Sequence, residues 1–273
     1  MTEVDSAKAV LYIELSKPPL IPELAKLAME RAPTRPPVPE GHEVLRARLS
    51  TVRSLEELDR VLLELTSSEL EYVARYLPEE YTEYLRVLME AGELELVYSK
   101  LASGAPEKAP LQRAKLADYD ACRGVARFSC VVSRHLSRLR TACEKACKDC
   151  DEALALAALL DTFLYVRYLD NLKALRLGGD ESVRGVVTNA LIFLTGPGAV
   201  YFESGVVKLL EAGKREENAM VAWCNSALTL YEAAKNALYY ADSLIDLVTL
   251  FGIDRLLRHV LLRLLVSRWL RPW

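Results

Sequence analysis

Between Pro110 and Pro197 the chain has no internal proline, and across the middle of that span apolar side chains return at every third or fourth position: Leu136, Leu139, Cys143, Ala146, Cys150, Ala153, Ala157 and Leu160. A strand alternates faces at every residue, whereas a helix brings a residue back to one face after about 3.6 positions, so this stripe predicts at least one long amphipathic helix. Gly178 and Gly179 after Arg176 form its stop, and Asp180 offers a cap for the next helix. Beyond the Gly196-Pro197-Gly198 turn, the pattern predicts helices over 203–212, 216–250 and 254–270. The best strand candidate, 10–14, is weak.

The N-terminal part reads differently. Pro18, Pro19, Pro22, Pro33, Pro36, Pro37 and Pro39 remove donors and fix φ, leaving room for one short helix over 23–31 in a proline-rich arm, 1–40. Ser54 with Glu57 forms a capping box before Leu55, Leu58, Val61, Leu62 and Leu65, and Ser68 with Glu71 repeats the signature. Pro78 suits a helix start and Gly92 a helix end, which makes 41–109 a unit of short helices ahead of a long-helix domain, 110–273. With only twelve glycines and twelve prolines in 273 residues and 8% aromatics, a turn-dense β-sandwich is disfavoured. The expected fold is all-α, short helices plus two or three long amphipathic ones. The echo between 85–92 and 207–213, each a leucine-rich helix ending in Glu-Ala-Gly, reads either as an internal helical duplication or as a chance recurrence of a common helix end.

A formal charge of -3 supplies no global field for nucleic acid or anionic lipid, so direct nucleic-acid binding is not expected. Glu3, Asp5 and Glu14 interrupt the start where a secretion signal needs a basic and then an apolar stretch, and Asp246, Asp254, Arg255, Arg258 and Arg263 interrupt the C-terminal apolar run. The expectation is a cytoplasmic protein that touches a membrane only peripherally. Abundant Leu, Glu and Arg point to a heat-adapted source.

Cys143, Cys147 and Cys150 have the spacing of cluster-binding thiolates, with Cys122 and Cys130 upstream. On one continuous helix, however, Cys143 and Cys150 stand about 10 Å apart along the axis, too far for one metal. Structural burial is therefore favoured over a metal, and a disulfide or metal site through Cys122 or Cys130 is the alternative. His42, His135 and His259 form no ligand pair, and His135 reads as a core-edge or polar-face histidine rather than a base. Neither a phosphate loop nor a nucleophile elbow is present. Asp161, Asp170, Asp242 and Asp246 lack the aspartate-rich spacing of magnesium-dependent helical enzymes. Arg255, Arg258, His259 and Arg263 share one arc of the last helix, which reads as a solvated basic face or as a dock for an acidic partner or lipid headgroups.

Three stretches together resemble the central-stalk socket family of the archaeal A-type ATP synthase, whose relative in the vacuolar ATPase is the d subunit. They are Tyr165-Val-Arg-Tyr-Leu-Asp170-Asn171-Leu172-Lys173-Ala-Leu175-Arg176 with Gly178 and Gly179; Leu194-Thr-Gly196-Pro-Gly198 with the helix after it; and Phe251-Gly252-Ile253, similar to the family's turn before its last helix. Here Asp170 adjoins Asn171, where the family's aspartate stands three residues before its asparagine. The resemblance implies an all-helical, non-enzymatic socket without a cofactor, whose partners are the stalk and the membrane rotor ring, coupling the ATPase head to ion translocation. Asp170, Asn171, Lys173 and Arg176 would then lock helices or face the partner proteins, beside Arg255, Arg258 and Arg263. The rival expectation is a helical zinc or iron-sulfur protein associated with nucleic acid, built on 122–150.

Overall fold

The last helix of the chain has no polar side wide enough to face water, and the architecture follows from burying it. In a computed structural model, residues 3–17, 20–30, 38, 42–93, 121–122, 127–174, 219–239, 241 and 243–270 are described. Their helices are α1 (Glu3–Leu15), α2 (Leu20–Met29), α3 (Glu43–Ser50), α4 (Leu55–Ala74), α5 (Glu79–Met89) with a 3-10 turn (Glu90–Glu93), α6 (Arg127–Ala146), α7 (Asp151–Ala174), α8 (Ala219–Leu238) and α9 (Leu244–Leu270). No strand occurs among the described residues, so the fold is all-α. The strand candidate 10–14 lies inside α1.

α9, 27 residues and about 40 Å long, packs against α1, α2, α4, α5, α7, α8 and the 3-10 turn. Leu247, Val248, Leu250, Phe251, Ile253, Leu256 and Leu257 are buried around its whole circumference. α7 is buried in the same way from Ala153 to Tyr165. Both are core helices rather than amphipathic surface helices, which corrects the stripe expected from their sequence. Phe163 of α7 meets Trp223 of α8 edge to face, centroids 5.9 Å apart.

The N-terminal segment forms two helices, where one was expected. α2 begins three residues earlier than the sequence pattern placed it, with Pro22 in its first turn, where a missing N–H leaves nothing unsatisfied. Ala7, Leu11, Ile21 and Leu24 are fully buried, with α1 on α9 and α2 on α8 and α9. Tyr12 Oη donates to the Ala241 carbonyl at 2.9 Å, tying α1 to the α8–α9 connection.

Helix ends follow local chemistry, with three corrections. Ser54 caps α4 as expected, accepting from the Glu57 N–H at 3.1 Å, while the Glu57 carboxylate reaches the Arg53 N–H at 2.7 Å. Ser68, by contrast, starts nothing: α4 runs through it, and its hydroxyl donates to the Glu64 carbonyl one turn back. The helix expected over 216–250 and the one over 254–270 do not meet at Phe251-Gly252-Ile253. α8 instead ends at Leu238 and α9 starts at Leu244, where Ser243 accepts from the Asp246 N–H at 3.3 Å and its hydroxyl donates to the Asp246 carboxylate. Likewise the stripe over 136–160 is split at 147–150 into α6 and α7. The stops at 178–179 and 196–198, the helix over 203–212 and the second half of the echo lie outside the described residues.

Gly252 sits mid-helix because α9 and α5 approach closely there. A Cβ built on it falls 2.4 Å from Leu88 Cδ2 and 3.1 Å from Leu88 Cγ. Leu88 is fully buried, so it can give way only by repacking its neighbours. Gly252→Ala should therefore destabilise the fold by about 1 kcal/mol even after the helix-propensity gain of alanine, and Gly252→Val by more. Chemical denaturation checks this, and Gly252→Ala combined with Leu88→Ala should cost less than the two single changes added.

Candidate functional site

The polar groups that the core admits are concentrated at two nodes, one on α9 and one between α5, α6 and α7. At the first, Arg255 is 4% exposed. Its Nη2 donates to Glu14 Oε2 of α1 at 2.8 Å, its Nε stands 2.9 Å from Glu69 Oε2 of α4, and its Nη1 donates to Asp254. The guanidinium also lies 4.5 Å from the centroid of Phe251, one turn earlier on α9. Lys17 Nζ joins Glu14 at 2.6 Å from the outside. Further along α9, Arg263 grips Asp59 of α4 with two donors, at 2.6 and 3.2 Å.

The expected basic face on the last helix is therefore corrected. Arg255 is not solvated, and both Arg255 and Arg263 direct their donors into the chain. A charged group can be buried when carboxylates and hydrogen bonds replace its water, and here α1 and α4 supply them. Arg258 keeps 20% of its side chain exposed and stands 3.5 Å from Glu69 and 3.9 Å from Asp254. It lines two adjoining cavities, of about 230 and 380 Å³, whose shared wall includes His42, Glu69 and Arg255. Buried His259 lines the larger one.

At the second node, His135 of α6 is buried between two acceptors: Nδ1 lies 2.5 Å from Asp161 Oδ2 of α7, and Nε2 lies 2.6 Å from the Val87 carbonyl in the last turn of α5. Opposite an ionised carboxylate and a carbonyl oxygen, both contacts are hydrogen bonds only if both ring nitrogens carry protons. Burial works against that cation, but the Asp161 charge, its hydrogen bond and the Val87 carbonyl outweigh it, and the pKa is raised. One turn on, Arg138 Nη1 donates to Glu90 Oε2 at 2.5 Å. His135 and Arg138 place their cationic groups beside the C-terminal turn of α5, where the helix dipole favours positive charge. Tyr84 of α5 reaches Thr249 of α9 at 2.9 Å, and because Thr249 gives its proton to the Ile245 carbonyl, the phenol is the donor.

Cys122 and Cys130 are joined in a disulfide, Cα atoms 5.7 Å apart, the alternative weighed for them. Cys143, Cys147, Cys150 and Cys224 carry reduced thiols. Because the helix breaks after Ala146, the axial separation argued for Cys143 and Cys150 does not hold: the Cys143 thiol lies 3.9 Å from the Cys150 carbonyl oxygen. Among the described residues no group of three His, Cys, Asp or Glu side chains is arranged to hold a metal ion. Of the aspartates whose spacing spoke against a magnesium site, Asp161 pairs with His135, and the Asp246 N–H donates to Ser243, the cap of α9. Asp170, Asn171 and Lys173 fall in the last turns of α7, with side chains outside the described set, and Arg176 and Asp242 lie outside it altogether. The sequence pattern did not reveal Glu14, Asp59, Glu69 and Glu90, the carboxylates that complete the two nodes.

The two nodes and the helices around them define the class: an all-helical protein whose charged core residues bind its own helices together. No family model, curated protein or solved structure matches the chain. No helix among the described residues is long and apolar enough to cross a membrane.

Arg255→Leu should lower stability by about 3 kcal/mol or more, because three carboxylates lose their common counter-ion, and Glu14→Gln should lower it by less. At the second node the folded-state pKa of His135 is raised, so its stabilisation is complete below the ordinary value of about 6.5 and is lost as pH rises through the folded value. His135→Gln should thus cost about 3 kcal/mol near pH 6, a loss that shrinks toward pH 9, as urea titrations across that range would read.

Proposed function

We propose that the chain is a non-enzymatic helical subunit of a larger protein assembly, in the form of the central-stalk socket that couples a rotary ATPase head to its membrane rotor ring. The observation that carries the reading is the destination of the buried charges. Arg255, Arg263 and His135 each tie helices of the same chain together. A general base needs one ring nitrogen free to meet a substrate, and His135 has both engaged. What those pairs supply instead is a stiff body that resists sliding of one helix along another.

The socket form rests on the resemblance. One of its three stretches, Phe251-Gly252-Ile253, lies inside α9 and not at a turn, so the family form stands on 165–179 and 194–212. In this reading the partners are the stalk and rotor-ring proteins, contact with the membrane is made through them, and the chain carries no cofactor. Affinity purification of the tagged chain from its own cells, followed by native mass spectrometry, tests it. Stoichiometric association with rotary ATPase subunits is expected, with no ATP hydrolysis by the isolated chain. Recovery as a lone monomer, or in an assembly built on nucleic acid, would overturn the proposal.

A further inference from the structure

Three thiols crowd the junction between α6 and α7, and the helix geometry makes two of them unequal partners. Cys143 lies in the last turn of α6, where free carbonyls leave the helix end negative, and the Cys147 N–H donates to its carbonyl at 2.8 Å. Cys150 caps α7, its carbonyl accepting the first helical bond from Leu154 N–H at 2.8 Å, so its sulfur stands at the positive end of a 24-residue helix. The chain reverses over 147–149 and brings the Cys143 sulfur to 3.9 Å from the Cys150 carbonyl oxygen, so the two cysteines face each other across the junction. We propose that Cys143 and Cys150 form a reactive dithiol that exchanges with low-molecular-weight disulfides and closes into a second intramolecular disulfide, stapling the end of α6 to the start of α7.

The environment divides the roles. The hydrogen bond to Cys150, together with burial, drives the Cys143 thiol up, while the same bond moves Cys150 down against the opposing effect of burial. Arg140 favours the Cys150 thiolate, and Asp151 and Glu144 oppose it. Cys150 is therefore the nucleophile and Cys143 the proton-bearing resolving thiol. Cys147 is half-buried, and burial pushes its thiol up. Lys148 and Asp149, next to Cys150, are exposed, so the sulfur lies beside a solvent-facing turn.

The chemistry balances with the substrate named. Cys150 thiolate attacks one sulfur of a glutathione-type disulfide, its S–S bond breaks, and one glutathione leaves as thiolate and takes up a proton. Cys143 then gives up its proton, attacks the Cys150 sulfur of the mixed disulfide and expels the second glutathione. Two cysteine thiols are oxidised and one disulfide is reduced to two thiols. The Cys122–Cys130 bond holds the start of α6, so the new bond would fix that helix at both ends.

The test uses the full-length protein with its Cys122–Cys130 bond intact, incubated with oxidised glutathione, alkylated, digested with trypsin and mapped by mass spectrometry. Cleavage after Arg140, Lys145, Lys148 and Arg167 puts Cys143, Cys147 and Cys150 on three different peptides. The expected product links peptide 141–145 to peptide 149–167, with two fewer alkylatable thiols. Cys143→Ser should instead trap a glutathione adduct on Cys150. In the untreated wild type, where no variant has to fold, Cys150 should alkylate faster than the more exposed Cys147 at neutral pH. A cross-link through Cys147, faster alkylation of Cys147, or an adduct on Cys147 with Cys150 unchanged would overturn the proposal.

Discussion

Burying the Arg255 guanidinium is the constraint on which the helix arrangement depends. Removing an ion from water costs several kcal/mol unless the protein returns most of what water gave, and no single helix can do so. Here the compensation comes from Glu14 at the end of α1, Glu69 in α4, and Asp254 and the Phe251 ring on α9 itself. The Asp59–Arg263 pair forms a second rung between α4 and α9, about 12 Å along the axis from the first. The partners run in opposite order along the two helices, so the rungs fix both an antiparallel sense and a register. Apolar contact alone would leave neighbouring registers of leucine-rich helices close in energy, and a one-residue slip would strand a buried charge.

The same logic governs the other half of the core. α7 is buried on every side between Ala153 and Tyr165, so hydrophobicity cannot tell it which way to face. Asp161 does, because only one rotation presents its carboxylate to His135, and His135 is placed in turn by the last turn of α5. α5 is then joined to α9 by the Tyr84–Thr249 hydrogen bond and by the close approach at Gly252. Polar nodes specify orientation, and the surrounding apolar area supplies the bulk of the stabilisation.

Much of the fold was legible in the sequence because helix signals are local. The all-α class, the Ser54 cap and the α5 start after Pro78 needed only composition and short-range patterns. The same signals failed where tertiary contacts decide. Ser68-x-x-Glu71 and Ser243-x-x-Asp246 carry one signature, yet only the second begins a helix, since Ser68 finds a carbonyl one turn back inside α4. Gly252 resembles a stop, and its reason, Leu88 on another helix, is invisible from nearby residues. The break at 147–150 contains neither glycine nor proline, so the stripe read straight through it. The arginines of the first node were legible as a basic arc, while their partners, Glu14 and Asp59, lie 241 and 204 positions away.

These particulars bear on how force would pass through such a body. Leucine packing resists pulling two helices apart, because separation exposes apolar area, but it resists sliding far less, since one leucine can replace another in the groove. Directional ion pairs resist sliding, because displacement by one helical rise pulls donors away from acceptors and leaves charges unpaired in a medium of low dielectric constant. The rungs from α9 to α1 and α4, and from α6 to α5 and α7, lie across helix interfaces, which is where shear acts. A protein that carries torque between two larger bodies needs that resistance. A helical enzyme that closes over its substrate needs the opposite, a set of interfaces free to slide. In the proposed coupling role, the buried pairs would be the contacts that resist shear between the helices.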